Sequence, residues 1–514
     1  MKAFKRTLYY VKTISILLIS LNSQNLRAEN LMGLINVYDI KNTEPLVQMT
    51  KPCNPNADAV HSVPHDGAWH PVFKHQITDI KPGDILRIRS QVQMTMSRGK
   101  INNICREFAG RAMLRTTVDG ARKGNIARQR NYNEGIHHMP LHSDTLYISD
   151  TDSPIEIKAE YRIDTLSQAS RIDAKQSQLV IEHYRSFPDI ETAKNENAFV
   201  LIHNEFSKTL QVSPPNFDNN EVFAYESSPT SLSARDNNKS DIVLTMGQTT
   251  SSRSVDDNNC AVSPRNKENA VLQINKVVEL GEEVGESISE NVICESAVKS
   301  QWTNGVFVPN ADSTHSFGTR VKGLSSGTRP EVNLLGVTSP FGHFILQKFS
   351  PLSEVEGEQV WVLDPDFHHS IGSSISNVLS NNEWSVVRSK TKTLNQGSTL
   401  RITGMTQFLL NEENEDGHCD VRLFVTAPSG SVSKSAFSRK SISFHDSSFN
   451  INSWPHRYPD IPLRNEMTYN VNAGDGEYLI EERARCAGFS SNDISVDVLA
   501  TGSGLMVEEF KLLN

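Results

Sequence analysis

The stretch GDILRIRSQVQM at residues 83–94 decides the fold class, because apolar and polar side chains alternate along it. Leu86, Ile88 and Val92 occupy every second position, and Arg87 and Arg89 lie between them. A period of two residues is typical of a β-strand with one buried face and one face toward water. We therefore expect the apolar set to be buried and the polar set to be solvent-facing.

A second stretch, GSTLRITGMTQF at residues 397–408, repeats this pattern. The similarity extends over residues 66–186 and 380–512, in the same order along both segments. The matched residues are Trp69 and Trp384, Gly83 and Gly397, Cys105 and Cys419, Pro140-Leu141 and Pro462-Leu463, Tyr147 and Tyr469, and 179–184 with 505–510. We interpret this as an internal duplication. Chance similarity between two unrelated β segments is the alternative.

The fold class predicted from these runs is mainly β. Short alternating segments separated by Gly, Pro, Asn and Asp turns favour antiparallel sandwiches, of jelly-roll or immunoglobulin-like topology, over a parallel sheet. Two diverged sandwich repeats are expected to flank a middle α+β or β region. The predicted divisions are a signal peptide at 1–28, repeat 1 at 29–190, a loop-rich linker at 191–268, the middle region at 269–374 and repeat 2 at 375–514.

The N-terminus has the layout of a secretory signal. Lys2, Lys5, Arg6 and Lys12 precede an apolar run at 14–21, which is too short for a membrane-spanning helix. We expect cleavage near Ala28, no transmembrane segment afterwards, and a secreted, periplasmic or cell-surface location. The whole chain has a formal net charge of −9, and loss of this basic segment makes it more negative. Such a protein would repel nucleic acid, so no nucleic-acid partner is predicted.

The six cysteines predict disulfides in an oxidising compartment. They are too far apart for the close pairs of a zinc site. We favour one bridge per region, although six cysteines allow fifteen pairings. The expected bridges are Cys53 to Cys105, Cys260 to Cys294, and Cys419 to Cys486.

The middle of the chain predicts mixed structure. Residues 226–268 are rich in Ser, Asn, Asp and Thr, which is typical of an exposed loop or linker. Apolar residues every three or four positions in 269–300 predict a helix, which Gly281 and Gly285 weaken. The G-x-S-x-G match at 323–327 has the spacing of a nucleophilic serine turn, but the proline that follows favours a surface loop.

Two further groups could bind metals. Eight histidines lie in or just before repeat 1, but without a metal-site spacing they favour scattered surface residues: His61, His65, His70, His75, His137, His138, His142 and His183. The acidic run at 412–417 offers Glu412, Asn414 and Asp416 as calcium ligands before a glycine. A plain acidic turn is the alternative interpretation. Zinc or copper at the histidines is disfavoured, calcium is the one cofactor kept as possible, and no metal is assigned.

The corresponding part of repeat 1 is basic. A candidate patch for an anionic glycan or lipid consists of Arg98, Lys100, Arg111, Arg115, Arg122 and Lys123. Alternation along strands would split these charges between two faces, and solvated surface is then the alternative. A basic loop in one molecule and an acidic loop in another could also support head-to-tail self-association.

These features favour an exported, non-enzymatic binding, adhesion or assembly protein. Its partner would be a surface polysaccharide or another protein, because duplicated modules gain avidity without new chemistry. No catalytic residues are assigned. A hydrolase with its site in the middle region is one alternative. A pore-forming toxin is another, since the Thr/Ser-rich stretch Val243 to Val255 could insert into a membrane as strands.

Overall fold

The structure is a computed structural model with almost entirely β secondary structure. An α-helix, α1 (Ile190–Asn195), lies among the described residues and is capped by the Asp189 carboxylate, which accepts from Thr192 N at 2.8 Å. The described residues are 31–41, 67–101, 104–106, 110–131, 137–163, 168–172, 176–208, 221–234, 240–253, 269–292, 298–325, 332–334, 342–355, 358–364, 368–370, 384–410, 417–442, 460–487 and 496–513.

The first unit is an antiparallel sandwich. Its inner sheet has the order β1-β10-β3-β7 and its outer sheet the order β2-β8-β5-β6. The strands are β1 (Leu31–Ile40), β2 (His70–Ile77), β3 (Ile85–Ile101), β4 (Ile104–Arg106), β5 (Gly110–Val118), β6 (Ala121–Asn131), β7 (His137–Ile148), β8 (Ile155–Ile163), β9 (Gln168–Ile172) and β10 (Gln178–Phe187). Its core includes Leu86, Ile88, Val92 and Ile181.

The last unit has the same strand order. Its inner sheet is β11-β30-β25-β28 and its outer sheet is β24-β29-β26-β27. The strands are β11 (Phe199–Lys208), β24 (Ser385–Leu394), β25 (Thr399–Leu410), β26 (Gly417–Thr426), β27 (Val432–Ile442), β28 (Asp460–Asn470), β29 (Gly476–Ala487) and β30 (Val496–Leu512). Its edge strand β11 directly follows the first unit along the chain, far from the other strands of its own unit.

The pairing registers confirm two diverged sandwich repeats. Arg87 lies opposite Glu182 in the first unit, and Arg401 lies opposite Glu508 in the last. The turn glycines also correspond, since Gly83 has φ 88° and donates to Ser149 O at 2.8 Å. Gly397 has φ 91° and donates to Val471 O at 2.9 Å. Both turns need the left-handed backbone conformation that glycine adopts without strain.

The match of Cys105 with Cys419 is wrong. Cys105 is on β4, opposite Lys100 of β3, whereas Cys419 is on β26 of the outer sheet, opposite Cys486. In the first unit, strands β5 and β8 correspond to β26 and β29. Ala112 of β5 and Ile163 of β8 occupy the places of Cys419 and Cys486. The two loops differ in length, so a constant sequence offset aligned cysteines from different strands.

The middle unit is a third sandwich with the same pairing pattern. Its inner sheet is β22-β21-β14-β17 and its outer sheet is β12-β19-β15-β16. The strands are β12 (Glu221–Glu226), β13 (Thr230–Leu232), β14 (Ile242–Arg253), β15 (Asn269–Val277), β16 (Glu283–Val292), β17 (Val298–Phe307), β18 (Ser313–His315), β19 (Phe317–Ser325), β20 (Val332–Leu334), β21 (His343–Val355), β22 (Glu358–Leu363) and β23 (His368–Ser370). Here the edge strand, β22, follows the others.

Two predictions for this region are wrong. The helix expected over 269–300 is replaced by the β15–β16 hairpin, which turns near Gly281 at φ 66°. The segment 191–268, expected to be a loop-rich linker, contains strands β11 to β14 among its described residues. Its Ser and Thr content misled the prediction because polar side chains of β14, such as Thr249, are buried.

The edge strands of the three units meet in a closed cycle. Each inner sheet places a leucine of its edge strand opposite an aromatic residue: Leu34 and Tyr184, Leu363 and Phe349, Leu201 and Phe510. Each of these leucines also pairs with a residue on the edge strand of the next unit: Leu34 with Phe199, Leu201 with Trp361, and Leu363 with Met32. In each case that residue lies two positions before the leucine of its own strand. The units therefore follow one another around a common centre.

Other strands repeat this cyclic order. Strand β6 contacts β17, β16 contacts β28, and β27 contacts β7, so an outer-sheet edge of each unit packs on the inner sheet of the next. An apolar cluster at the centre draws residues from all three units, including Leu34, Leu201 and Leu363. Within the described residues, no helix is long and apolar enough to cross a membrane.

Candidate functional site

The centre of the molecule contains a buried ionic network. It joins the inner sheets of the first and last units, and among the described residues it has four arginines and four carboxylates: Arg87, Arg89, Arg401, Arg464, Asp144, Glu182, Glu466 and Glu508. Glu182 accepts from Arg89 at 2.6 Å and from Arg401 at 2.6 Å. Arg464 donates to Asp144 at 2.8 Å. The network thus crosses between units with balanced charge.

The alternation of residues 83–94 mispredicted two of these side chains. Arg87 and Arg89 were expected to face water, but they are 3% and 4% exposed. The other units cover the polar face of this strand, and Arg87 donates to Gln347 of the middle unit at 2.7 Å. Both faces of β3 are therefore buried, the apolar face in the core of its own unit and the polar face at the interface between units.

The electrostatics of the network favour a structural role. Burial opposes ionisation of Glu182, but the guanidinium groups of Arg401 and Arg89 hold its pKa well below the ordinary value. Burial likewise opposes ionisation of Glu466, and Arg464 and Arg89 lower its pKa. Crevices beside the network have room for about one water molecule each. Glu182 and Glu466 therefore stay charged and paired, and the centre is too full for a polymer.

The outer sheet of the last unit carries aromatic rings covered by cations. Trp384 lies 5.9 Å from Phe424 and 6.4 Å from Phe437, measured between ring centroids. Among the described side chains, five cations lie within 4.6–5.7 Å of these ring centroids: Arg422, Lys434, Arg439, Arg483 and Arg485. We call these three rings and five cations the cationic face.

Strand alternation places this set on one side of the sheet. Leu423 and Val425 of β26 point into the core of the last unit, so their neighbours Arg422 and Phe424 are on the opposite side. Arg483 and Arg485 alternate in the same way with buried residues of β29. Their side chains are 33% and 30% exposed. The face is therefore accessible, and its guanidinium groups lie over the rings.

Asp420 organises one end of the cationic face. Its buried carboxylate accepts from Arg439 at 2.7 Å and from Arg485 at 2.8 Å. The adjacent His418 stays neutral at ordinary pH, because burial and the positive charge of Arg439 lower its pKa to about 4. The Cys419–Cys486 disulfide, with Cα atoms 4.1 Å apart, links β26 to β29 beneath this end. The predicted Cys419 to Cys486 bridge is thus present.

The predicted basic patch of the first unit is spread over several strands. Arg98 and Lys100 are on β3, Arg111 and Arg115 on β5, and Arg122 and Lys123 on β6. Arg115 donates to Glu160 at 2.8 Å and lies 4.3 Å from the centroid of Trp69. Lys123 lies 4.9 Å from the centroid of Tyr147. Arg122 is exposed, and the side chains of Arg98, Lys100 and Arg111 lie outside the described ones.

The described histidines are not gathered at one place. His183 is buried and hydrogen-bonds Asp84 at 2.7 Å. His142 packs edge-on against Trp302, with centroids 4.8 Å apart. His70 stacks on Tyr161 and His75 packs on Tyr38, both histidines being residues of β2. His61 and His65 lie outside the described residues, as do the side chains of His137 and His138. Within the described part, no three potential metal ligands cluster.

The remaining candidates lie either outside the described residues or within strands. The calcium candidates Glu412, Asn414 and Asp416 lie outside the described residues, as do Cys53, Cys260 and Cys294. Ser325 ends strand β19 opposite Asn269 of β15, so the described part of the G-x-S-x-G match is sheet. The described part of the stretch considered for membrane insertion, residues 243–253, lies in β14, which pairs with β17 and β21.

Sequence reasoning missed the cationic face. The signal that could have found it is the alternate spacing of Arg422 and Phe424, together with that of Arg483 and Arg485. It was hidden because the rings and cations come from three strands and from Trp384 before β24, and the order of these strands is known only from the sheet.

Comparisons with known proteins identify no family for this chain. No protein-family model and no curated protein matches the chain. A solved structure of the tandem CBM22-1 and CBM22-2 domains from Paenibacillus barcinonensis Xyn10C is similar over 61% of this chain and 92% of that chain. The identity is 9% and the TM-score 0.15, and a likeness this loose assigns no function.

Proposed function

We propose that the protein is an exported, non-enzymatic binding protein that holds a surface polysaccharide or a protein partner on its outer sheets. The observation that supports this is the cyclic packing of the three units. Because the inner sheets pack toward the common centre, the outer sheets carry the accessible surfaces of the sandwiches. Several outward surfaces on one set of packed units suit multivalent attachment to a repeating polymer.

The chemistry of the interior agrees with binding rather than catalysis. The buried carboxylates Glu182 and Glu466 have lowered pKa values and are engaged by arginines, so they are poor proton donors and acceptors. The Ser325 backbone is part of a strand and has no helix N-terminus beside it in the described residues. The disulfide between Cys419 and Cys486 supports an oxidising destination, in line with the basic and apolar N-terminal segment.

Retention on polymer-coated surfaces tests this proposal. Residues 29–514, produced with oxidised cysteines, should be retained on at least one neutral or acidic polysaccharide, or on intact cells, without shortening the polymer. Retention by no polymer and no cell surface would refute it. Release of soluble sugars or peptides from a substrate would instead support the hydrolase alternative.

A further inference from the structure

We propose that the cationic face of the last unit is a binding site for an acidic polysaccharide, one that carries carboxylate or sulfate groups. This inference rests on the proposed function and specifies where the ligand sits and what its chemistry is. The residues assigned to direct contact are Arg483 and Arg485, with Trp384 and Phe424 as the rings beneath them.

The stacking geometry prepares the guanidinium groups for anions. Arg483 lies 4.6 Å from the centroid of Phe424, and Arg485 lies 4.8 Å from that of Trp384. A guanidinium above a ring can still donate through the N–H groups at its edges, in pairs, to a carboxylate or sulfate. The ring also restricts the arginine side chain before the ligand arrives. Less conformational entropy is then lost on binding.

The charge balance of the face selects an anion. Five cations are stacked on its rings, and the carboxylates that pair with them among the described residues are Asp420 and Glu481. Crowding of positive charge is visible at Arg422, where burial and repulsion from Arg485 lower the pKa. The whole chain has a net charge of −9, so this face is locally opposite in sign to the protein. An acidic polymer would relieve the repulsion.

The shape of the face favours a polymer over a small anion. The rings and cations extend across the outer sheet, from Trp384 just before β24 over strands β29, β26 and β27. Trp384 is partly exposed and offers an apolar surface beside the charges, as does Phe437. Sugar residues have apolar C–H faces and, in acidic polysaccharides, regularly spaced anionic groups. Such a chain complements both features, whereas inorganic phosphate uses only one.

The experiment compares immobilised heparin, polygalacturonate and dextran as ligands for residues 29–514 by biolayer interferometry. Heparin carries sulfates, polygalacturonate carries carboxylates, and dextran is neutral. Binding to at least one acidic polymer should exceed binding to dextran, and should weaken as the salt concentration rises. The double variant R483Q/R485Q should bind the acidic polymer about tenfold more weakly, as expected for the loss of charge-assisted contacts.

Two further variants separate the stacked guanidinium groups from net charge. R483K/R485K keeps the charge but removes the planar donors, and should bind more weakly than the wild type and more tightly than R483Q/R485Q. K41Q/K194Q removes the same charge away from the face and should bind like the wild type. Melting temperature and the presence of the Cys419–Cys486 disulfide check that each variant is folded.

The results distinguish the inference from the proposed function. If the wild type binds an acidic polysaccharide and folded R483Q/R485Q binds equally well, the cationic face is overturned and the binding function stands. If R483Q/R485Q and K41Q/K194Q weaken binding equally, only overall charge matters, and the site is again refuted. Equal affinity for duplex DNA of matched length overturns the polysaccharide assignment. Failure to bind any polymer or cell overturns both proposals.

Discussion

Replacing Glu182 by glutamine tests how the three units are held together. The Glu182 side chain is 3% exposed and accepts from Arg89 and Arg401, each at 2.6 Å, and from the Tyr184 hydroxyl at 2.9 Å. Glutamine keeps the shape but removes the charge that both arginines share. Removing one partner of a buried ion pair typically costs about 3–5 kcal/mol. Because each arginine keeps another carboxylate, Glu466 or Glu508, we expect about 3 kcal/mol.

Urea unfolding of the purified protein, followed by tryptophan fluorescence, measures this loss. The matched control is E205Q, since Glu205 pairs with Lys390 at the surface, and an exposed pair contributes about 0.5 kcal/mol or less. Combining E182Q with R89M should recover part of the loss, because the remaining buried charges are again balanced: Glu466 keeps Arg464, and Arg401 keeps Glu508. A loss below about 1 kcal/mol for E182Q, or an equal loss for E205Q, would refute the role given to the network.

Three more predictions follow from the same architecture. Acid should lower the free energy of unfolding, because Glu182 and Glu466 have lower pKa values in the folded state than in the unfolded chain. The stability that these carboxylates contribute is complete above the unfolded-state pKa of about 4.3, and it is lost as the pH falls below that pKa. Melting temperatures between pH 7 and 3 should therefore fall mainly below about pH 4.5, and a flat profile would contradict this. A permuted fragment, 384–513 followed by 198–208, should be a soluble monomer, because Leu513 N already donates to Ala198 O at 2.9 Å and the new peptide link would join neighbouring residues. Fragment 384–513 alone lacks the edge strand β11 and should aggregate. Equal behaviour of the two fragments would refute the assignment of β11 to the last unit. Replacing Cys419 and Cys486 by alanine should lower the free energy of unfolding by about 4 kcal/mol, the chain-entropy value for a loop of this length, and an unchanged urea midpoint would argue against it.

The duplication could be predicted from sequence because its two copies keep the same charged positions. Arg87 and Arg401 occupy the same place on β3 and β25, and Glu182 and Glu508 lie opposite them on β10 and β30. Both glutamates are engaged by buried arginines, and a buried charge is costly to replace without its partner, so these positions leave a visible pattern in each copy. The turns at Gly83 and Gly397 are visible for a similar reason, since their backbone conformation favours glycine.

The third copy could not be recognised because those positions changed together. In the middle unit, Leu244 lies opposite Gln347, where the other units have an arginine opposite a glutamate. A feature that persists is the pair Asp241 and Lys348, 3.3 Å apart, which corresponds to Asp84 and His183. The edge strand β22 also follows the unit instead of preceding it. Sequence order alone therefore gives no collinear match.

The middle unit was also hidden by its polar interior. Gln273 is fully buried between the sheets and donates to Gly247 O at 3.0 Å and to Thr303 Oγ1 at 2.9 Å. Asn275 is buried beside it and donates to Thr245 Oγ1 at 3.1 Å. Each amide is satisfied by hydrogen bonds, so burial does not carry the cost of an unpaired polar group. A rule that assigns polar residues to the surface must fail here.

In the proposed function, the packing of the units determines how the outer sheets bind a polymer. The edge-strand cycle and the ionic network hold the outer surfaces at set positions, so a polymer bound at the cationic face is presented to the neighbouring sheets at a high effective concentration. Loosening the centre by E182Q should then weaken binding to a long polysaccharide more than binding to a short oligosaccharide of the same repeat. The oligosaccharide contacts one outer sheet, and the Glu182 side chain lies away from that surface in the inner sheet. Equal weakening of both ligands would mean that one sheet does all the binding, and the multivalent proposal would have to be abandoned.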